Sequence, residues 1–272
     1  VFQIRATLSG TYYGTISASA NITLDSIPRA SSVSAGNMTM GSAGKINISR
    51  ASSSFTHTLT YSFGNTSGTI ATKTTATSVS WTPALSLASQ IPNATSGTCT
   101  ITCTTYNGNT NIGSKTCTLG LSVPASVKPT ISSLTASRID GEVPSAWGIY
   151  VQTKSKVKLT INGAAGSYGS TIKSYSITGG GYSGSASTLT TGFLNNSGTI
   201  TFKATVTDSR GRVSAEASVS ITVTAYSPPY FNSSLSQRCL SNGTLDDDGT
   251  YIHALVSFGY STSVSYTHLR AH

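Results

Sequence analysis

The sequence predicts an all-β chain made of tandem antiparallel β-sandwiches, and three observations carry that prediction. Only 9% of its 272 residues are charged, against about a quarter in average chains, and the shortage falls on the helix formers Glu, Lys and Arg. Strand formers are plentiful: 43 Thr stand beside 48 Ser, so a third of the chain carries a small hydroxyl. Short segments alternate apolar and polar residues with period two, and the alternation recurs at intervals. A hydrophobic fraction of 37%, placed this regularly, excludes a disordered Ser/Thr tract. The scarcity of helix formers excludes a helical bundle and an α/β enzyme with long amphipathic helices.

Taken in chain order, Leu59, Tyr61 and Phe63 alternate with hydroxyl residues, as do Cys99, Ile101 and Cys103. Val157, Leu159 and Ile161 follow, then Ile200, Phe202, Ala204 and Val206, then Val219, Ile221 and Val223. Each segment reads as a strand with one buried face and one wet face. Gly and Asn clusters between them read as turns, including Gly108-Asn109 and Gly179-Gly180-Gly181.

The chain also repeats itself. Ser96-Gly97-Thr98 matches Ser197-Gly198-Thr199, and Pro129-Thr130-Ile131 leading to Leu134 matches Pro229-Tyr230-Phe231 leading to Leu235. Arg138, Gly141, Gly148 and Tyr150 find counterparts in Arg238, Gly243, Gly249 and Tyr251. A period of about 100 residues, several short strands and Pro-containing links describe immunoglobulin-like sandwiches. Residues 29–124 and 125–227 are expected to be two sandwiches. Residues 1–28 read as the closing strands of a preceding β domain and residues 228–264 as the truncated start of a further one. The chain starts at Val1 without an initiator Met and reads as a piece of a longer protein.

The segment from Ile27-Pro28-Arg29-Ala30 to Trp81-Thr82-Pro83, with the Cys99 to Cys117 hairpin, resembles a family of siphophage minor structural or tail-fibre proteins of unknown function. Asp208-Ser209-Arg210-Gly211-Arg212 and the Arg238, Gly243, Asp248-Gly249-Thr250-Tyr251 pattern fit the same family. The resemblance implies a virion component with tandem Ig-like domains and brings no catalytic residues with it. Residues 265–272 depart from the pattern. They resemble an adapter-like read-through tail and are expected to be foreign to the fold.

The charge is lopsided: 17 basic and 8 acidic residues give a net +9, and no Asp or Glu lies between Asp25 and Asp140. That stretch has no paired carboxylates, no acid to orient a His and no carboxylate for a hard metal. The excess charge suits an anionic partner such as a cell-wall polymer. The Lys and Arg are scattered, without the aromatic interleaving of a nucleic-acid groove, so no nucleic-acid partner is expected. No stretch has the roughly 20 apolar residues of a membrane span.

Each chemical motif has a structural reading beside it. Gly179, Gly181 and Gly184 have dinucleotide-loop spacing, yet no helical pattern follows, so a turn between strands is expected. Cys99 and Cys103 occupy positions that are Ile200 and Ala204 in the next repeat, and so read as buried core thiols. A Cys103–Cys117 disulfide is the alternative, disfavoured by assembly in a reducing cytosol; a metal would want a fourth ligand. His57 lies on one face with Phe55, Leu59 and Tyr61 and reads as a residue at the core's edge. Asp246-Asp247-Asp248 lacks the alternation and distal Glu of a calcium loop and reads as an exposed turn. The eight Asn-x-Ser/Thr sequons, Asn21 and Asn93 among them, follow from the Ser/Thr excess.

Lys154, Lys156 and Lys158 are expected on one strand, facing solvent about 6.6 Å apart. They read either as a basic ladder for phosphate-rich wall polymers or as guards on an edge strand. Trp147 and Tyr182, with Tyr12, Tyr13 and Tyr168, are the loop-placed aromatics that could form a glycan platform. The expected function is a non-enzymatic structural part of a phage tail fibre or baseplate, with Ig-like spacers supporting host attachment. It is assembled in the bacterial cytoplasm, borne on the virion tail and partnered by other tail proteins, with a homotrimeric parent fibre as one arrangement. The alternative is an adhesin, phage or bacterial, binding host-wall glycan or teichoic acid through Lys154, Lys156, Lys158, Trp147 and Tyr182. No cofactor, metal or catalytic residue is expected.

Overall fold

The computed structural model describes residues 2–8, 11–18, 29–139 and 141–260. Asp25, Asn21 and the expected foreign tail 265–272 lie outside the described residues. Strands β1 (Phe2–Leu8) and β2 (Thr11–Ala18) pair as an antiparallel hairpin. Tyr12 and Tyr13 therefore stand on a strand, not in a loop.

The first sandwich uses β3 (Ser32–Ala35), β4 (Met38–Thr39), β5 (Gly44–Ser49), β6 (Phe55–Phe63), β7 (Thr66–Thr74), β8 (Ser78–Trp81), β9 (Ser96–Asn107) and β10 (Thr110–Ser122). They form a three-stranded sheet in the order β3-β5-β8 and a five-stranded sheet in the order β4-β10-β9-β6-β7. The second uses β11 (Ser133–Ile139), β12 (Tyr150–Val151), β13 (Lys156–Asn162), β14 (Ile172–Gly179), β15 (Tyr182–Gly184), β16 (Thr188–Thr190), β17 (Gly198–Asp208) and β18 (Ala217–Thr224). Its sheets are β11-β13-β16 and β12-β18-β17-β14-β15, the same order strand for strand. In both, the short second strand pairs parallel to the last, and every other pairing is antiparallel.

The alternation in the sequence becomes the inside and outside of each sheet. Cys99, Ile101, Cys103 and Thr105 on β9 are buried; Thr98, Thr100, Thr102 and Thr104 face outward. Ile200, Phe202, Ala204 and Val206 on β17 repeat the inward set. Each large apolar side chain so buried contributes roughly 1.5–3 kcal/mol, and the outward hydroxyls keep the wet face soluble without charge. Gly180-Gly181 turns β14 into β15, which settles the glycine spacing as a hairpin. Gly179 must be glycine: at φ 146 a Cβ would lie 2.6 Å from the carbonyl oxygen of Thr201.

Beyond the second sandwich, β19 (Tyr230–Cys239) and β20 (Tyr251–Gly259) form an antiparallel hairpin, with Leu235 opposite Leu255. Its large apolar residues are exposed, Phe231 at 77% and Ile252 at 73%. The Asp246–Asp248 segment lies in the connection between these strands, with a turn at Asp247-Asp248.

Candidate functional site

The basic ladder does not form. Lys154 lies in the turn before β13, because the chain reverses at residues 152–154 with Thr153 at φ 60. Ser155 is buried there, accepting the Val151 N–H at 2.9 Å. Lys154 Nζ pairs with Glu142 at 2.6 Å and stands over the Tyr226 ring at 5.8 Å. Lys156 Nζ covers the Phe193 ring at 4.6 Å, leaving Lys158 exposed on the strand. β13 is the central strand of its sheet, so the edge-guarding reading fails as well.

The aromatics do not converge on a platform. Tyr182 opens strand β15, packs its half-buried ring on the second core and donates its hydroxyl to the Phe193 carbonyl at 2.6 Å. Trp147 sits 46% exposed in a 3-10 turn, stacked on no ring among the described residues. Phe193 is what joins the candidates, touching Lys156 through its face and Tyr182 through its backbone.

His57 is fully buried in the first sandwich, not at its edge. Its Nε2 lies 2.9 Å from Ser31 Oγ, and the Ser31 N–H donates to Thr105 Oγ1 at 3.0 Å. Burial pushes the imidazole below its usual value, the backbone of Thr74 opposing and the charge of Arg50 adding to the shift. A Ser–His pair thus exists, but Ser31 is 2% exposed and His57 0%. A nucleophile sealed this way meets no substrate, and the cluster's work is to hold β3 onto β6 and β9.

Cys99 and Cys103 are both 0% exposed in the first core, and burial pushes the Cys99 thiol up to about 11. Ile101 stands opposite Cys117, and Lys115 opposite Cys103. Cys103 and Cys117 are therefore diagonal neighbours about 7–8 Å apart, beyond ordinary disulfide reach. All four cysteines are free.

The densest polar construction is the joint between the sandwiches, and the sequence reading did not anticipate it. β17 ends at Asp208, fully buried, whose Oδ1 accepts the backbone N–H groups of Arg210 at 3.0 Å and Arg212 at 2.9 Å. The turn closes through Gly211, at φ 78, whose N–H reaches the Asp208 carbonyl. This fixes a short hairpin that aims two guanidinium groups back at the first sandwich. Arg210, 7% exposed, spends four donors on carbonyls. Ser167 (2.6 Å) and Tyr168 (2.7 Å) lie in its own sandwich; Ala88 (2.8 Å) and Ile91 (3.3 Å) lie in the other. Ser209 Oγ adds a bond to the Pro92 carbonyl at 2.6 Å. Arg212 binds the connecting segment through the carbonyls of Val123 (2.7 Å), Pro124 and Val127 (3.4 Å).

Such a site suits Arg and no other side chain: a planar fork with five donors matches several carbonyls at once and holds its charge when buried. Burial pulls the Arg210 guanidinium below its usual value; Asp208 opposes the shift and Arg212 adds to it. The accepting end is prepared by a 3-10 turn at Leu85–Gln90, whose Leu87 and Ala88 are buried in the first core. Val127, past Pro124 in sequence, also packs into that core. What this arrangement can do is mechanical: it fixes one sandwich on the other.

The model of a siphovirus protein family of unknown function matches residues 1–245. No curated protein matches the chain. Among solved structures, the fibronectin(III)-like modules of Clostridium thermocellum CbhA are similar at 18% identity, covering 75% of this chain and 94% of that one, with a TM-score of 0.30. Domains FN1–FN3 of chicken CNTN1 are similar at 9% identity, 81% and 76% coverage and a TM-score of 0.27. The three N-terminal domains of the bacteriophage RB49 highly immunogenic outer capsid protein are similar at 12% identity, 85% and 69% coverage and a TM-score of 0.24.

Proposed function

The chain belongs to a family of siphovirus proteins of unknown function, and from that premise we propose that it is a non-enzymatic structural component of the phage tail, a stiff spacer in a fibre or baseplate. The observation that supports this most is the joint: Arg210, Ser209 and Arg212 tie the two sandwiches through backbone carbonyls. A spacer transmits position, and its value lies in length and in resistance to bending. The spent lysines support the same reading, since Lys154 is ion-paired and Lys156 is laid on a ring.

The test is made on the virion. Antibodies to the chain should decorate the tail, and removal of residues 125–225 in register should leave an assembled but shorter structure. At about 3.3 Å per strand residue, one sandwich accounts for roughly 30–40 Å of length. Adsorption should fall modestly with sugar specificity unchanged. Saturable binding of the purified chain to host walls, competed by one defined glycan and lost on replacing Lys154, Lys156 and Lys158 by Ser, would overturn the spacer reading in favour of an adhesin.

A further inference from the structure

Three asparagines stand directly before a glycine: Asn107-Gly108, Asn162-Gly163 and Asn242-Gly243. The pair carries its own chemistry. Glycine has no Cβ to shield its backbone nitrogen, so that nitrogen can reach the side-chain carbonyl of the asparagine before it. The fold treats the three pairs differently.

Asn162 ends β13 and is pinned. Its Nδ2 donates to Ser133 Oγ at 3.3 Å, Thr135 Oγ1 at 3.1 Å and the Thr160 carbonyl at 3.4 Å, and its own carbonyl accepts the Ser132 N–H at 3.0 Å. Ser132 also covers Gly163, where a Cβ would lie 2.1 Å from Ser132 Oγ. Asn242 lies between β19 and β20 with both reacting groups engaged. Its Oδ1 accepts the Thr244 N–H at 3.0 Å, and the Gly243 N–H donates to the Leu240 carbonyl at 2.9 Å.

Asn107 is held by neither device. It ends β9 opposite Thr110, and Gly108-Asn109 forms the two-residue loop of the β9–β10 hairpin, with Gly108 at φ 59. Residues 107–110 are all exposed. Among the described residues, the Asn107 side chain and the Gly108 N–H have no hydrogen-bond partner. A Cβ on Gly108 would meet nothing within 4 Å. A cation stands at the same turn: Lys73 Nζ donates to the Gly108 carbonyl at 3.3 Å and covers the Tyr106 ring at 3.5 Å. An ammonium so placed favours loss of the Gly108 amide proton, and sandwich 1 contains no Asp or Glu to oppose it.

We propose that Asn107 is a site of spontaneous deamidation in the folded chain, with water as the only co-reactant. The Gly108 nitrogen passes its proton to water and attacks Asn107 Cγ. The N–Cγ bond forms, the Cγ–Nδ2 bond breaks, and the amide nitrogen leaves as ammonia after taking up a proton. Water then opens the cyclic imide. Opening at Cγ gives aspartate; opening at the main-chain carbonyl gives isoaspartate, with the chain routed through the former side chain. Either product puts a carboxylate on a sandwich that has none, at the end of β9 away from the joint. Isoaspartate also lengthens the backbone beside a loop whose length sets the hairpin register. The step is independent of whether the sandwiches space or bind, so its failure leaves the tail reading standing and the reverse is also true.

The experiment incubates the full chain at mildly alkaline pH in water enriched in heavy oxygen, both folded and in urea, until the unfolded sample has reacted. Digestion and mass spectrometry then follow each site. In the folded chain Asn107 should convert roughly tenfold faster than Asn162 or Asn242, which react only through local opening. In urea the three rates should converge. The converted peptides should carry heavy oxygen, with isoaspartate resolved from aspartate by retention. Asn107→Ser should remove the acidic species that grows with time in the ion-exchange profile of the folded chain. Equal rates at the three sites in the folded chain, or an Asn107 that stays intact while the unfolded chain reacts, would overturn the proposal.

Discussion

Arg210 Nη2 donates to the carbonyl oxygen of Ala88 at 2.8 Å, from one sandwich into the other and across 122 residues of chain. The bond is buried, and its donor is one corner of a fork that also reaches Ile91, Ser167 and Tyr168. A buried cation is costly unless its donors are satisfied. Here the compensation comes from Asp208 and from oriented carbonyl dipoles of both sandwiches.

Arg210→Ala should therefore destabilise the two-sandwich unit by about 3 kcal/mol, since it removes four charge-assisted bonds from a buried site. Lys203→Ala should serve as the contrast. Its ion pair with Glu216 is 3.0 Å long but about half exposed on both sides, and such pairs contribute less than about 1 kcal/mol. Urea melts of the two variants measure both. Equal losses would mean that the joint carries no special energy.

How much of this was legible in the sequence depends on whether side chains or backbone do the work. The inward sets on β9 and β17 announce themselves, because burial selects side chains at every second position. Arg210 and Arg212 were visible only as part of a turn. Their partners are backbone carbonyls 42 to 122 residues earlier, and a carbonyl leaves no mark in the sequence. Lys154 misled for the opposite reason. Lys154, Lys156 and Lys158 keep a period of two, but the strand begins at Lys156, and Ser155 is buried for its hydrogen bond to Val151 rather than for apolarity. His57 read as a rim residue because its partner Ser31 lies 26 positions away.

That His–Ser pair makes the first sandwich sensitive to acid. Burial holds the folded His57 below the usual 6.5, so the unfolded chain takes the proton first. Over that window the unfolded state binds more protons, and stability falls as pH drops below about 6.5. It should be level from there to pH 8. Thermal melts between pH 8 and 5 should show the decline, and His57→Gln should remove most of it. A decline that persists unchanged in the variant would assign it to other groups.

The core thiols set the alkaline limit. Cys99 is raised by burial to about 11 from an ordinary 9.0, so its stabilising effect is complete below pH 9 and is lost as pH rises through 11. At pH 8 on the order of one Cys99 in a thousand is thiolate, and the native protein should react with a thiol reagent at that site far more slowly than the unfolded chain. Cys99→Ala or Cys103→Ala should cost about 1–2 kcal/mol from lost packing and change no metal content. Stoichiometric zinc, lost in these variants, would contradict the core assignment.

The last prediction concerns whether residues 125–227 stand alone. The second core closes within them: Leu134, Val157, Leu159, Ile177, Phe202 and Val223 are buried against one another. The span should fold cooperatively as an all-β unit. It should also be less stable alone than inside residues 29–227, for two reasons visible at the joint. Arg210 loses Ala88 and Ile91, and Arg212 loses Val123 and Pro124, so two guanidinium groups return to water. Val127 leaves the first core, where it is 7% exposed, and gives up burial worth roughly 1.5–3 kcal/mol. Calorimetry should show the isolated unit melting below the same unit in the pair, and the pair melting as one transition. Arg210→Ala with Arg212→Ala should split that transition in two and leave the isolated unit's melt nearly unmoved. Two separate transitions in the unaltered pair would mean that the clamp orients the sandwiches without coupling their folding.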